Sequence, residues 1–391
     1  MRQELTEILE ELLTTLEVSK NSNPYLDPML IPNWTKTDIG VKYYNLFKEY
    51  FKLEDDDYIY QNQGGGACLT DTEQLVDFSI VLGNKNGSEK SLIQITEYLN
   101  SKEIIAYELM LLQSVNIECE FEFINGVKLL LPKSIPNKFI AESLKKRHNY
   151  GYVPDPHIMC ALIVEGRQSK FTGKREGSHG FDNEKIPVEP LDDALLCLSL
   201  VRPTEFGIQA YAIGLICDEE LPFWRPHQRW RMLPYKRPTP YSPEITKNEL
   251  ESSNELLKKF IQLPKGLRKK LTISMEKLNE FGSGLSIVER AINLRICLES
   301  IFLNDGNKEQ LRFTLSLRGS LFLGTTFEER ELIFKTFKKT YDLTSTAVHS
   351  GILKDENNSH LILASEYAKD AIIKMINIGK TINWTEIELG K

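Results

Sequence analysis

A run of prolines, Pro234, Pro238, Pro240 and Pro243, limits what this chain can fold into more than any other feature. Proline has no amide donor and a fixed φ, so neither a helix interior nor a central strand runs through such a stretch. The pattern changes across it. Upstream, short runs alternate apolar and polar residues; downstream, apolar residues recur at helical spacing with almost no strand signal. The prolines therefore divide a mixed region, 1–235, from a helical region, 251–391, with 236–250 as a proline-rich linker. The expected class is α+β: a mixed α/β N-terminal region with an antiparallel sheet, followed by an all-α helical bundle.

The first residues, from Met1 to Lys20, interleave Leu5, Ile8, Leu9, Leu12, Leu13 and Leu16 with glutamates, an amphipathic helix rather than a secretion signal. Val41 to Leu53 reads as a second helix. Cys119 to Leu131 reads as a hairpin, because Asn125-Gly126 suits a tight turn between alternating residues. Ile158 to Val164, Ala194 to Val201 and Ile208 to Cys217 read as strands. The triple glycine Gly64-Gly65-Gly66 lacks the Gly-Lys-Ser/Thr continuation of a phosphate-binding P-loop and reads as a plain turn.

No run of about 18 apolar residues exists, so no membrane span is expected. The six cysteines are scattered without a Cys-x-x-Cys pair, which suits reduced core residues of a cytoplasmic protein. The histidines at 148, 157, 179 and 227 have no ligand spacing, so neither a metal nor another cofactor is expected. A net charge of −7 disfavours a protein that coats nucleic acid over its whole surface. Local basic stretches remain. One loop, Arg167 to His179, is basic among glycines. Another interleaves Arg225, Arg229, Trp230 and Arg231, a combination able to grip single-stranded nucleic acid through phosphates and stacked bases. The alternative is an ordered loop whose tryptophans pack and whose arginines pair with acids of their own domain.

In the helical region, Thr326 and Glu329 have capping-box spacing at the start of a long helix. Phe337, Tyr341, Thr344 and Val348 share one face of it, and Gly351 is its expected stop. Asp342, Ser345 and His349 recur on an adjacent face, placing a carboxylate, a hydroxyl and an imidazole on successive turns. An imidazole there either serves proton transfer near neutral pH or simply caps the carbonyls of the last turn.

Arg290 to Phe302, Leu315 to Gly324, Glu329-Arg330 and Tyr341 to Gly351, taken in order, resemble the Apea-like branch of the HEPN superfamily. The resemblance spans roughly residues 255 to 385. It implies a helical bundle that pairs as a homodimer, many active members being metal-independent endoribonucleases acting as toxins or antiviral effectors on RNA such as tRNA or mRNA. Their signature is an arginine, a polar residue and, a few residues on, a histidine, two copies meeting in one composite site. His349 matches the histidine and Ser345 the polar residue, with Asp342 on the same face. Thr344 stands where the arginine belongs, and a threonine hydroxyl does not replace a guanidinium at a phosphate. Two consequences stay open. Another cation, Arg318, Arg295 or Arg290, folds into the site; or the bundle is catalytically inactive and serves as a dimerising, RNA-binding or partner-binding regulatory module.

Overall fold

The computed structural model describes residues 1–16, 33–54, 57–62, 67–113, 115–136, 141, 158–174, 187–217, 231–233, 243–284, 286–303 and 310–390. The protein is α+β. Four helices open it: α1 (Arg2–Thr15), α2 (Asp38–Phe51), α3 (Thr72–Asn86) and α4 (Ser88–Asn100). Between and after them lie strands β1 (Asp57–Asn62), β2 (Ala67–Thr70), β3 (Glu103–Gln113), β4 (Phe121–Glu122), β5 (Lys128–Leu130), β6 (Ile158–Lys174), β7 (Gln209–Cys217) and β8 (Arg231–Met232). They form one sheet of order β2-β1-β6-β3-β7-β8, and the β4–β5 hairpin joins it through β6. Every pairing of named strands is antiparallel.

β6 is the spine of the sheet. It pairs with β3 from Ile158 to Ser169, with β5 at Ala161–Ile163 and with β1 at Lys170–Lys174. It outruns the expected strand, so the start of the expected basic loop, Arg167 to Lys174, is strand; glycines and polar residues serve here because the ladder runs through backbone groups. Strand alternation sets the layers. On β3, Ile104 and Ala106 face the helices α1–α4, Met110 and Leu112 face the C-terminal helices, and Leu109 and Leu111 join a small cluster on the other face.

One expected strand is a helix. Ala194 to Val201 belongs to α5 (Glu189–Leu200), which buries Leu191, Ala194 to Leu198 and Leu200. A helix sunk on nearly all sides carries apolar residues all round and loses the period that would mark it. The expected hairpin and the helix at Val41 to Leu53 are as read. The glycines 64–66, His148, His157, His179 and most of the arginine–tryptophan loop lie outside the described residues.

The bundle comprises α6 (Lys247–Phe260), α7 (Lys265–Ser283), α8 (Ile287–Phe302), α9 (Leu311–Leu323), α10 (Phe327–Ser350), α11 (Asn358–Ile378) and the short α12 (Trp384–Glu388). α6 begins inside the expected linker, where Thr246 and Glu249 form a capping box. The prolines coincide with a change of secondary structure, whereas the core continues: one apolar cluster runs from Met110, Leu112, Cys160 and Leu162 through α5 into the bundle. Of the four cysteines with described side chains, Cys160, Cys197 and Cys297 are buried. Burial pushes the Cys160 thiol up to about 12, against the opposing charge of Arg202.

The segment between α5 and β7 bolts the two halves together. The Thr204 amide and hydroxyl both donate to Glu366 of α11, each at 2.7 Å. Asn279 of α7 accepts from the Ile208 amide at 2.7 Å and donates to its carbonyl at 2.8 Å. Gly207 and Gly282 meet backbone to backbone: a Cβ on Gly282 would lie 2.3 Å from the Gly207 nitrogen and 2.4 Å from the Thr204 oxygen. Gly282→Ala is therefore expected to destabilise by about 1–3 kcal/mol through overpacking. Gly266→Ala, with open space at its Cβ, is expected to be neutral or stabilising by up to about 1 kcal/mol. Urea-unfolding midpoints of the two variants measure the difference; equal shifts would contradict this seam.

Candidate functional site

α10 organises the candidate site. The Thr326 hydroxyl accepts from the Glu329 amide, and the Glu329 carboxylate accepts from the Thr326 amide, the full capping box at its start. Gly351, at φ 67°, ends it in the left-handed conformation. Its depth is set at Gly319 of α9, where a Cβ would lie 2.3 Å from the Phe337 ring. Ile333, Thr336, Phe337, Thr340, Thr344 and Ala347 form the buried face. Val348, expected on that face, sits at its border and is 48% exposed.

Thr344 is 1% exposed and its hydroxyl donates to the Tyr341 carbonyl at 3.1 Å. The position where the resemblance places an arginine thus points into the core. The neighbouring stripe looks outward. At about 100° per residue, Ser345 and His349 fall angularly between Tyr341 and Asp342. His349 is exposed on the last turn and Ser345 is half-buried.

Guanidinium groups arrive at this stripe from two other helices. Arg295 of α8 lies over the Tyr341 ring, 4.7 Å from its centroid, and its Nη2 donates to the Tyr341 hydroxyl at 3.1 Å. Its Nε donates to Glu299 at 2.9 Å, while its Nη1 is buried with no hydrogen-bond partner. Arg312 of α9 pairs with the Asp342 carboxylate. Both members of that pair are nearly half exposed, so water screens it and it contributes little stability.

α8 runs antiparallel to α10, as Arg295 on Tyr341 and Phe302 on Phe337 show. Arg290, five residues before Arg295 and so about 140° round α8 from it, points toward α7 and α11. There its Nη1 donates to Asn358 of α11 at 2.8 Å and its guanidinium stacks on Phe281, 4.5 Å from the ring centroid. Arg290 Nε and Nη2 are buried without partners, and burial pulls its pKa below the ordinary arginine value, against the nearby charge of Glu205. An unmet buried donor costs about 1–3 kcal/mol.

Arg318 is elsewhere. It is 3% exposed, its Nε donates to Glu388 at 2.6 Å, its Nη1 to the Phe302 carbonyl at 2.7 Å, and it lies over Trp384. These contacts close the bundle with α12 rather than face the stripe. Arg225, Arg229 and Trp230 lie outside the described residues; Arg231 contributes backbone to β8. Arg312 and Tyr341 were not among the expected site residues. Their partners stand 30 and 46 residues away in sequence, and no local spacing marks such pairs. Among the described residues, no group of three or more His, Cys, Asp or Glu side chains is arranged to hold a metal ion. No described helix is long and apolar enough to cross a membrane.

No family model, no curated protein and no solved structure matches the chain.

His360 of α11 contrasts with His349. Its Nε2 lies 3.2 Å from both the Thr336 carbonyl and the Thr340 hydroxyl, and burial lowers its pKa below 6.5, with the Thr336 bond opposing and Lys339 assisting. The folded state therefore favours neutral imidazole, and the unfolded chain binds more protons as pH falls through about 6.5. Stability is expected to fall between about pH 7 and 5 more steeply in the wild type than in His360→Gln. Urea midpoints across that range measure this, and parallel profiles would contradict the assignment.

Proposed function

We propose that the chain is an RNA-directed effector whose C-terminal bundle, paired with a second copy, grips and cuts RNA without a metal ion. The observation that carries this reading is the pair of guanidinium groups on the outward side of α10, Arg295 over Tyr341 and Arg312 on Asp342, the side that also carries Ser345 and His349. That arrangement supplies what the missing signature arginine would: cationic, directional donors for a phosphate. The chemistry follows from the residues. His349 takes the proton of a ribose 2′-hydroxyl; the oxygen attacks phosphorus; the 5′-oxygen leaves with a proton from the second copy's imidazole. The guanidinium groups stabilise the charge on the phosphorane. The products are a 2′,3′-cyclic phosphate and a 5′-hydroxyl. Val348 and Ile352, 48% and 71% exposed beside His349, give a second copy apolar surface to cover.

A second reading is favoured by Thr344, which is turned into the core: the bundle is a catalytically inactive module that dimerises and binds RNA or a partner. One experiment separates them. Purified full-length protein, in chelator, is incubated with tRNA and mRNA, and product ends are analysed for wild type, His349→Ala and Arg295→Gln. The first reading predicts cyclic-phosphate ends that vanish with His349→Ala and fall at least a hundredfold in rate with Arg295→Gln. Intact RNA that is nevertheless bound, with binding weakened by Arg295→Gln, selects the second. Neither cleavage nor RNA binding overturns the first reading and leaves the second only its partner-binding form.

A further inference from the structure

The stripe that carries Ser345 and His349 does not begin at Tyr341. At about 100° per residue, Phe327, Phe334, Lys338, Asp342, Ser345 and His349 of α10 all fall within about 80° of one another. This line runs about 33 Å along the helix at 1.5 Å per residue. Phe327 opens it, 75% exposed in the first turn. Two turns on, Phe334 is half-buried. Phe313 of α9 stands edge-to-face against it, with centroids 5.8 Å apart and planes at 74°, and is itself 49% exposed. The Lys338 ammonium lies over the Phe334 ring, 5.8 Å from its centroid. Arg312, the residue before Phe313, reaches Asp342 one turn further along.

The charges of this face do not cancel. Lys335 is taken by Glu331 at 2.6 Å and Arg312 by Asp342. Lys338 and Lys339 are exposed, and neither makes an ion pair among the described residues. A single exposed phenylalanine needs no explanation. Exposed rings on one line with an unpaired lysine, leading to an imidazole, form a pattern. Glu331 and Lys335 stand between Phe327 and Phe334, so the rings do not merge into the continuous apolar patch that a protein partner covers. Separate rings with a cation beside them suit separate bases on a charged backbone, because every base has a face to stack.

Building on the reading of α10 as an RNA-gripping stripe, we propose that its N-terminal half is a stacking track for single-stranded RNA. One unpaired base lies on Phe327 and another on Phe313, Lys338 holds the phosphate backbone between them, and the strand continues to Ser345 and His349. The substrate class follows: the bases of a duplex are stacked on one another and offer no face to these rings, whereas an unpaired segment does.

The test is fluorescence anisotropy of the full-length protein with a labelled 2′-O-methyl RNA 12-mer, alone and annealed to its complement. The blocked 2′-oxygen prevents the cleavage chemistry proposed above, so binding alone is read. The expected result is single-strand binding at least tenfold tighter than duplex binding. Phe313→Leu and Phe327→Leu, which keep an apolar side chain and remove the ring, are each expected to weaken the single strand about fivefold or more and to leave the duplex unchanged. Phe313→Trp is expected to bind at least as tightly as wild type, with thermal unfolding midpoints checking that each variant is folded. Lys338→Gln is expected to reduce the slope of log affinity against log salt by about 0.7, one phosphate contact. Single-strand binding indifferent to both leucine variants, or equal binding of strand and duplex, would overturn the track while leaving RNA gripping by α10 intact. Wild type that binds neither form would overturn both. Sedimentation showing that the leucine variants lose self-association but not RNA binding would assign the rings to a second copy and overturn the track.

Discussion

The hydrogen-bonded seam between residues 202 and 208 and the bundle holds the rest of the structure in place. Thr204 spends its amide and hydroxyl on Glu366, Arg202 donates to the Pro243 carbonyl at 3.1 Å, and Lys369 donates to the Arg202 carbonyl at 3.2 Å. A neutral hydrogen bond contributes only about 1 kcal/mol net, but groups buried this way cost more when their partners are removed. The Gly207–Gly282 contact brings two backbones within reach of these bonds. Because the seam is closed, the apolar cluster runs from the sheet through α5 into the bundle instead of ending at the prolines. The same seam sets the position of α7, and so the ring that supports Arg290.

The bundle uses arginine in two ways. Arg318 is enclosed by Glu388, the Phe302 carbonyl and the Trp384 ring, and holds α12 against α9. Arg290 and Arg295 are stacked on aromatic rings but only partly bonded, with nitrogens that the protein itself does not satisfy. Stacking holds the plane of each guanidinium. The pair Arg312–Asp342 is the exposed counterpart, screened by water and contributing little stability.

What the sequence discloses here depends on the range of the interaction concerned. The capping box of Thr326 and Glu329, the Asn125-Gly126 hairpin and the helical periods after Pro243 are local signals, and the structure carries each of them. α5 was illegible because burial on nearly every side erased its period, and β6 was shortened because Arg167 to Lys174 carry no apolar alternation. The stripe of Asp342, Ser345 and His349 was readable from spacing alone, whereas its cationic neighbours were only partly so. Arg295 comes from a helix 46 residues upstream, and Arg312 pairs across α9 and α10. Thr344 had the right position in the sequence pattern and the wrong face in space, since its side chain turns into the core beside Tyr341.

The measurement that tests the central claim most directly is ultraviolet cross-linking of the full-length protein to a uniformly labelled RNA, with peptides mapped by mass spectrometry. The account predicts cross-links on the outward stripe of α10, at Tyr341 and between Ser345 and His349, lost when Arg295 and Arg312 are both changed to Gln. Cross-links confined to other elements, or cross-linking at the stripe indifferent to those arginines, would contradict it.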